Sequence, residues 1–194
     1  MIENALDALF AVLTMVAFAF VAVTIVIAVS ARFSSTAAES FAWWRDMLDP
    51  VALQIALLLA AGALLGSLYY SEIADLTPCL LCWFQRIAIY PLTPILVVAL
   101  IAGDRGVRKY VITLAAIGAL ISIWHILVQR VPALAGTTSC SLDAPCAVPL
   151  VQQFGFVTIP VMALAVTSSI VTLMLMMRAE PVSGAAAELT TTEP

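Results

Sequence analysis

The chain has 194 residues, 63% of them hydrophobic and only 10% charged, with a net charge of −4. Soluble domains carry about 25% charged residues, so this composition excludes a soluble globule. No basic patch suits a nucleic acid, no Gly-rich loop suits a nucleotide phosphate, and no internal repeat is present.

A membrane-crossing helix needs about 20 mostly apolar residues. Stretches free of Asp, Glu, Lys and Arg predict spans at residues 8–31, 50–71, 87–103, 110–129 and about 156–177. The first lies where a signal peptide would, with small residues near its end. Its leader carries Glu3 and Asp7 and no base, and its run exceeds the roughly 7–15 apolar residues of a signal peptide, so a retained helix is expected. Trp43 and Trp44 beside Arg45 have the look of interfacial anchors. The third span is the shortest and holds Pro91 and Pro94, which membrane helices accept when neighbours satisfy the freed carbonyls. Residues 179–194, rich in Ala, Thr, Glu and Pro, are expected to be a disordered tail.

Arg32 and Arg45 fall between spans one and two, Arg105, Arg108 and Lys109 between three and four, and Arg178 after five. Cationic loops face the cytoplasm, which places the N-terminus outside and the C-terminus inside. Cys79 and Cys82, between spans two and three, and Cys140 and Cys146, between four and five, then lie on the outer side, where disulfides persist. No other cysteine is present.

The spacing of Cys79 and Cys82 admits three uses. A disulfide there closes a very small ring and removes little chain entropy, which argues for redox chemistry over stapling. C-x-x-C is also a common zinc half-site. Pro78 marks a helix start, where a thiol meets the positive end of the helix dipole and its pKa falls. Arg86 follows Cys82 by four residues, on the same helix face. A guanidinium there favours the Cys82 thiolate and offers donors to a ligand oxygen; a snorkelling arginine is the plainer account. With no flavin, nucleotide or haem signature, a lipid-soluble quinone is the acceptor that fits a thiol pair at the membrane edge. His125, the single histidine, is either a packed core residue or a donor or proton relay near the quinone. Cys140 and Cys146 enclose SLDAP and need be no more than a staple.

The run Pro78-Cys79-Leu80-Leu81-Cys82-Trp83-Phe84-Gln85-Arg86 resembles the PCxLCWxQR signature of the DsbB/BdbC disulfide-bond formation proteins. Cys140-x5-Cys146 and the later FGFVTIP (154–160) resemble the BdbC branch. The likeness spans residues 50–178. It implies an all-α integral membrane protein of the bacterial inner membrane, with a four-helix transmembrane bundle at 48–178. Residues 1–47 would add an extra transmembrane helix and a cytoplasmic linker. It implies a thiol:quinone oxidoreductase, using ubiquinone or menaquinone, that reoxidises a DsbA-like thioredoxin-fold partner. By position, Cys79 and Cys82 are the quinone-facing pair, with Cys82 the charge-transfer partner and Cys79 resolving. Arg86 and, more loosely, His125 support the quinone. Cys140 and Cys146 form the shuttle disulfide, Cys140 being the sulfur the partner attacks. Two readings stand beside this one. A vitamin K epoxide reductase-like enzyme would carry its C-x-x-C late, on the last core helix. A non-catalytic metal-binding membrane protein would use the outer thiols as ligands.

Overall fold

The computed structural model describes residues 2–134, 140 and 145–178, without the side chains of 2–4. The tail at 179–194 and most of the segment between Leu134 and Pro145, including Gly136, lie outside the described residues. The elements run α1 (Ile2–Ser30), α2 (Ser35–Leu48), α3 (Ala52–Leu68), α4 (Leu80–Ile89), α5 (Leu92–Ala102), α6 (Arg108–Arg130), β1 (Gln152–Gln153), β2 (Val157–Thr158) and α7 (Ile159–Met176). Among the described residues, five helical stretches are long and apolar enough to cross a membrane: Ala5–Ser30, Ser35–Ile73, Leu80–Ala102, Arg105–Arg130 and Ile159–Met176. The protein is an all-α, multi-pass membrane protein in its spans.

The start of the third span and the linker before residue 48 differ from the sequence reading. The third span begins at Leu80 rather than residue 87, because Cys79 caps α4 with its sulfur on the Cys82 N–H. The helix start that Pro78 marks is thus found two residues on, and Cys82 and Arg86 sit in the first turns of the membrane helix. The chain turns at Tyr90–Pro91, where proline cannot donate to the ladder, and α5 resumes the span. The linker expected before residue 48 is helical as α2. Trp44 on α2 donates to Thr24 Oγ1 at 3.1 Å and its ring lies by Phe20, so it anchors α1 within the protein, while Trp43 is exposed. The connection into α7 carries a short antiparallel ladder, β1 on β2. Its turn has positive φ at Phe154 and Gly155, as a hairpin turn requires.

α7 is the hub, packing along α6, α1 and α3, while α4 lies on α6 and α3 on α5. Leu92, Leu96, Val111, Ile170, Leu173 and Met174 fill the core between them. At Gly118 a β-carbon would come within 3.1 Å of Thr167 and 3.4 Å of Ala88, so glycine there lets α6 close on α7 and α4 together. Helix hydroxyls bond back to their own carbonyls, as Thr14 does to Phe10 and Ser168 to Leu164, which satisfies them where water is absent. At the end away from the cysteines, Arg105 pairs with Asp49 and Arg178 with Asp46. There Arg45 also donates to the Met176 carbonyl.

Candidate functional site

The four cysteines meet in one place. Cys79 and Cys146, with Leu81 and Val128, form a small buried cluster, and Cys82, Cys140, Leu134 and Ala147 pack against it. Cys140 and Cys146 are joined as a disulfide with Cα atoms 5.9 Å apart. Cys79 and Cys82 are free thiols whose sulfurs stand 2.8 Å apart. A disulfide bond is about 2.05 Å long, so this pair closes by a small rotation.

His125 stands between the two pairs. Its Nε2 lies 3.7 Å from the Cys79 sulfur and 3.2 Å from the Cys146 carbonyl. It is 2% exposed, held there because α6 packs on α4 and α7. The Cys82 thiol, bonding to Cys79, holds the Cys79 sulfur well below the ordinary thiol range, against the opposing effect of burial. His125 and the Cys82 N–H add to the lowering. The helix start thus favours thiolate at Cys79, the capping residue. The sulfurs of Cys79 and Cys82 and a ring nitrogen of His125 lie within 4.8 Å of one another, a set that is also able to hold a soft metal ion.

Arg86 turns toward α3. Its Nε donates to Ser67 Oγ and a terminal nitrogen to the Ser67 carbonyl, both at 3.0 Å. Its guanidinium lies 5.2 Å from the Trp83 ring and 5.9 Å from that of Tyr90, and Tyr90 Oη donates to Ser67 Oγ at 3.1 Å. A guanidinium has five N–H donors, so two bonds to Ser67 leave capacity for a ligand. Gln85 is buried and donates to Ser122 Oγ at 3.0 Å, tying α4 to α6.

Ser67 and Tyr90 were not read from the sequence. Tyr90 follows Arg86 by four residues, a spacing that carried a signal. Ser67 comes from another helix, and nothing local marks it.

Two hollows adjoin the cysteines. A small one is lined by Cys79, Cys82, His125, Gln129 and Pro145. The other is an apolar cavity of about 530 Å³ that reaches Cys82, Arg86, Tyr90 and Ser67 at one end and Trp44 and Leu48 at the other. Cys82 therefore faces both, whereas His125 lines only the small one.

Residues 50–176 match the family model described as disulfide bond formation protein DsbB. The chain belongs to the DsbB family. It is similar to disulfide bond formation protein C of Bacillus subtilis (strain 168), with 45% identity over 130 residues, 67% of this chain and 94% of that protein. It is also similar to probable disulfide formation protein C 1 of Bacillus anthracis, with 43% identity over 102 residues, 53% of this chain and 73% of that one. A probable disulfide formation protein of Coxiella burnetii (strain CbuK_Q154) is 40% identical over 122 residues, 62% of this chain and 83% of its own length. No solved structure matches. A DsbB-family membrane protein with two adjoining cysteine pairs has a role in disulfide formation. The helices α1 and α2 precede the region the DsbB model matches.

Proposed function

We propose that this chain is a quinone-dependent protein-disulfide oxidoreductase. It reoxidises a DsbA-like thioredoxin-fold dithiol from the extracytoplasmic side of the bacterial inner membrane. The observation that carries this reading is the contact between a closed pair, Cys140–Cys146, and an open pair, Cys79 and Cys82, the latter bordering an apolar cavity with a cation at its mouth. The 48–178 unit, as a four-helix bundle, holds the whole reaction.

Exchange proceeds by thiolate attack on a disulfide sulfur. Cys146 is 2% exposed and Cys140 is only partly buried, so the partner thiolate attacks Cys140 and Cys146 leaves. Attack by the partner's second thiolate on its own half of the mixed disulfide releases the oxidised partner and leaves Cys140 and Cys146 as thiols. The Cys146 backbone bonds to His125, which also faces Cys79. The exchange between the pairs passes there, and His125 holds or hands on the proton at Nε2. Oxidation of the Cys140–Cys146 dithiol reduces a Cys79–Cys82 disulfide to two thiols. That dithiol then closes again, giving up two electrons and two protons. A bound quinone supplies the two-electron, two-proton sink. Polar donors at one end of the cavity and apolar walls beyond fit a ring bearing carbonyls and a hydrocarbon tail. Arg86, steadied by Ser67 and Tyr90, orients the ring carbonyl, and Cys82 is the thiol that faces it.

The deciding experiment mixes purified protein anaerobically with a quinone and a reduced thioredoxin-fold dithiol protein. Quinol should form in step with partner disulfide. Partner oxidation with no quinol would sink the reading. A second reading rests on the Cys79, Cys82 and His125 cluster: a metal-binding membrane protein. Tight stoichiometric zinc binding by the reduced protein, without turnover in the mixing experiment, would favour it.

A further inference from the structure

We infer that α1, the helix outside the family-matched region, is one wall of a binding channel for the hydrocarbon tail of the quinone. The inference rests on the quinone reading above and extends it to a subsite. α1 packs along α7 yet stands off α3 for most of its length. It comes close to α3 near the cysteine end, where a β-carbon on Gly66 would lie 3.4 Å from the Phe10 ring and Tyr70 Oη donates to Asp7 at 2.8 Å. Toward the other end Trp44 holds Thr24, and midway Ser169 donates to the Ala17 carbonyl at 3.4 Å. Held at three heights, α1 leaves the 530 Å³ cavity between itself, α3 and α7 rather than collapsing onto α3.

The shape and chemistry of that cavity select its occupant. Cys82, Arg86 and Tyr90 line one end, and α1 contributes Leu13, Val16 and Phe20 beyond them. From Phe10 to Phe20 the wall runs about 15 Å at the helical rise. Val16 and Leu58 border the cavity yet are 60% and 72% exposed, so it opens sideways, the entry a membrane-dissolved molecule needs. A molecule with a redox ring and a long unbranched-path hydrocarbon tail places the ring at Cys82 and the tail along α1. A phospholipid also offers Arg86 a phosphate but brings no redox ring to Cys82, so competition by phospholipid separates the two occupants. Gly62 lines the cavity, and a β-carbon there would meet no atom within 4 Å. A larger side chain at that position therefore has room to start into the channel.

The test uses the full-length protein in nanodiscs, with binding read directly. A quinone carrying a photoreactive group on its tail should label α1 between Phe10 and Phe20, mapped by mass spectrometry. Excess long-tailed quinone should prevent the labelling, and excess phospholipid should not. Gly62→Leu should weaken binding of a long-tailed quinone about tenfold, or 1.4 kcal/mol, and leave a tailless quinone and thiol exchange with the partner unchanged. Val29→Leu, at an exposed site away from the channel, should change neither affinity. Labelling that misses α1, protection by phospholipid, or equal weakening of tailed and tailless quinones by Gly62→Leu overturns the channel. If the wild type reduces tailless quinone while the tail labels elsewhere, the quinone reading stands and the channel alone falls. If the wild type neither binds nor reduces any quinone, both fall.

Discussion

The imidazole of His125 lies 3.7 Å from the sulfur of Cys79 and 3.2 Å from the carbonyl of Cys146, between the two cysteine pairs. The sequence leaves this residue as either a packed core histidine or a donor or relay near the quinone; the geometry puts it beside the thiol that caps α4, lining the small hollow and not the large cavity. Its removal should act first on Cys79. With His125→Gln, the pH at which Cys79 becomes reactive should rise, because one of the groups lowering its pKa is gone. The sign is fixed: a thiol with a depressed pKa is thiolate to lower pH, and losing the depressing partner narrows that range upward. The alkylation rate of Cys79 against pH, in a Cys82→Ser background and its His125→Gln counterpart, reads the shift directly. An unmoved inflection would return His125 to packing alone.

Cys79→Ser and Cys82→Ser should each abolish quinone reduction without changing the melting temperature. A ring closed by two intervening residues constrains the unfolded chain very little, so the pair contributes chemistry and not stability. Measured turnover in either variant would remove the pair from the reaction, and a large drop in melting temperature would assign it a structural part.

Arg86→Met should raise the KM for quinone about 10- to 100-fold, the scale of a lost charge-assisted hydrogen bond, and leave exchange with the partner dithiol intact. Ser67→Ala should act in the same direction but more weakly, since it removes the hydroxyl acceptor of Nε and leaves the bond to the residue 67 carbonyl. Arg86→Lys should recover only part, because lysine lacks the planar fork. Stopped-flow measurement of the two half-reactions separates the effects. Equal loss in both would count against a quinone role.

Cys146→Ser should trap a mixed disulfide when its Cys140 thiolate displaces thionitrobenzoate from a thioredoxin-fold partner that lacks its resolving cysteine and carries its other cysteine as the mixed disulfide with thionitrobenzoate. Cys146 is buried beneath the cluster and Cys140 is the more accessible sulfur, so Cys140→Ser should trap little. Non-reducing electrophoresis of the two variants decides it. Complex formed through Cys146 alone would reverse the order of attack.

The sequence by itself determined that this is a membrane protein of five apolar spans, because a run of about 20 uncharged residues has no stable place in water. It also placed a helix start, two thiols and a cation at i+4 together at Pro78 to Arg86, local relations that one helix fixes. The same locality explains its errors. The uncharged run of the third span starts at residue 87 because Arg86 interrupts it, although Pro78 marks the helix start; partners on Ser67 and Tyr90 let that charge lie within the span. The helix α2 escaped notice because charges interrupt it, although Trp44 on Thr24 gives it an inner face. Only the tertiary structure decided that the two cysteine pairs touch, that His125 lies between them, and that α1 stands off α3 to leave a cavity ending at Cys82. Each of these depends on packing between helices distant in the chain, and one-dimensional spacing carries no record of which faces meet.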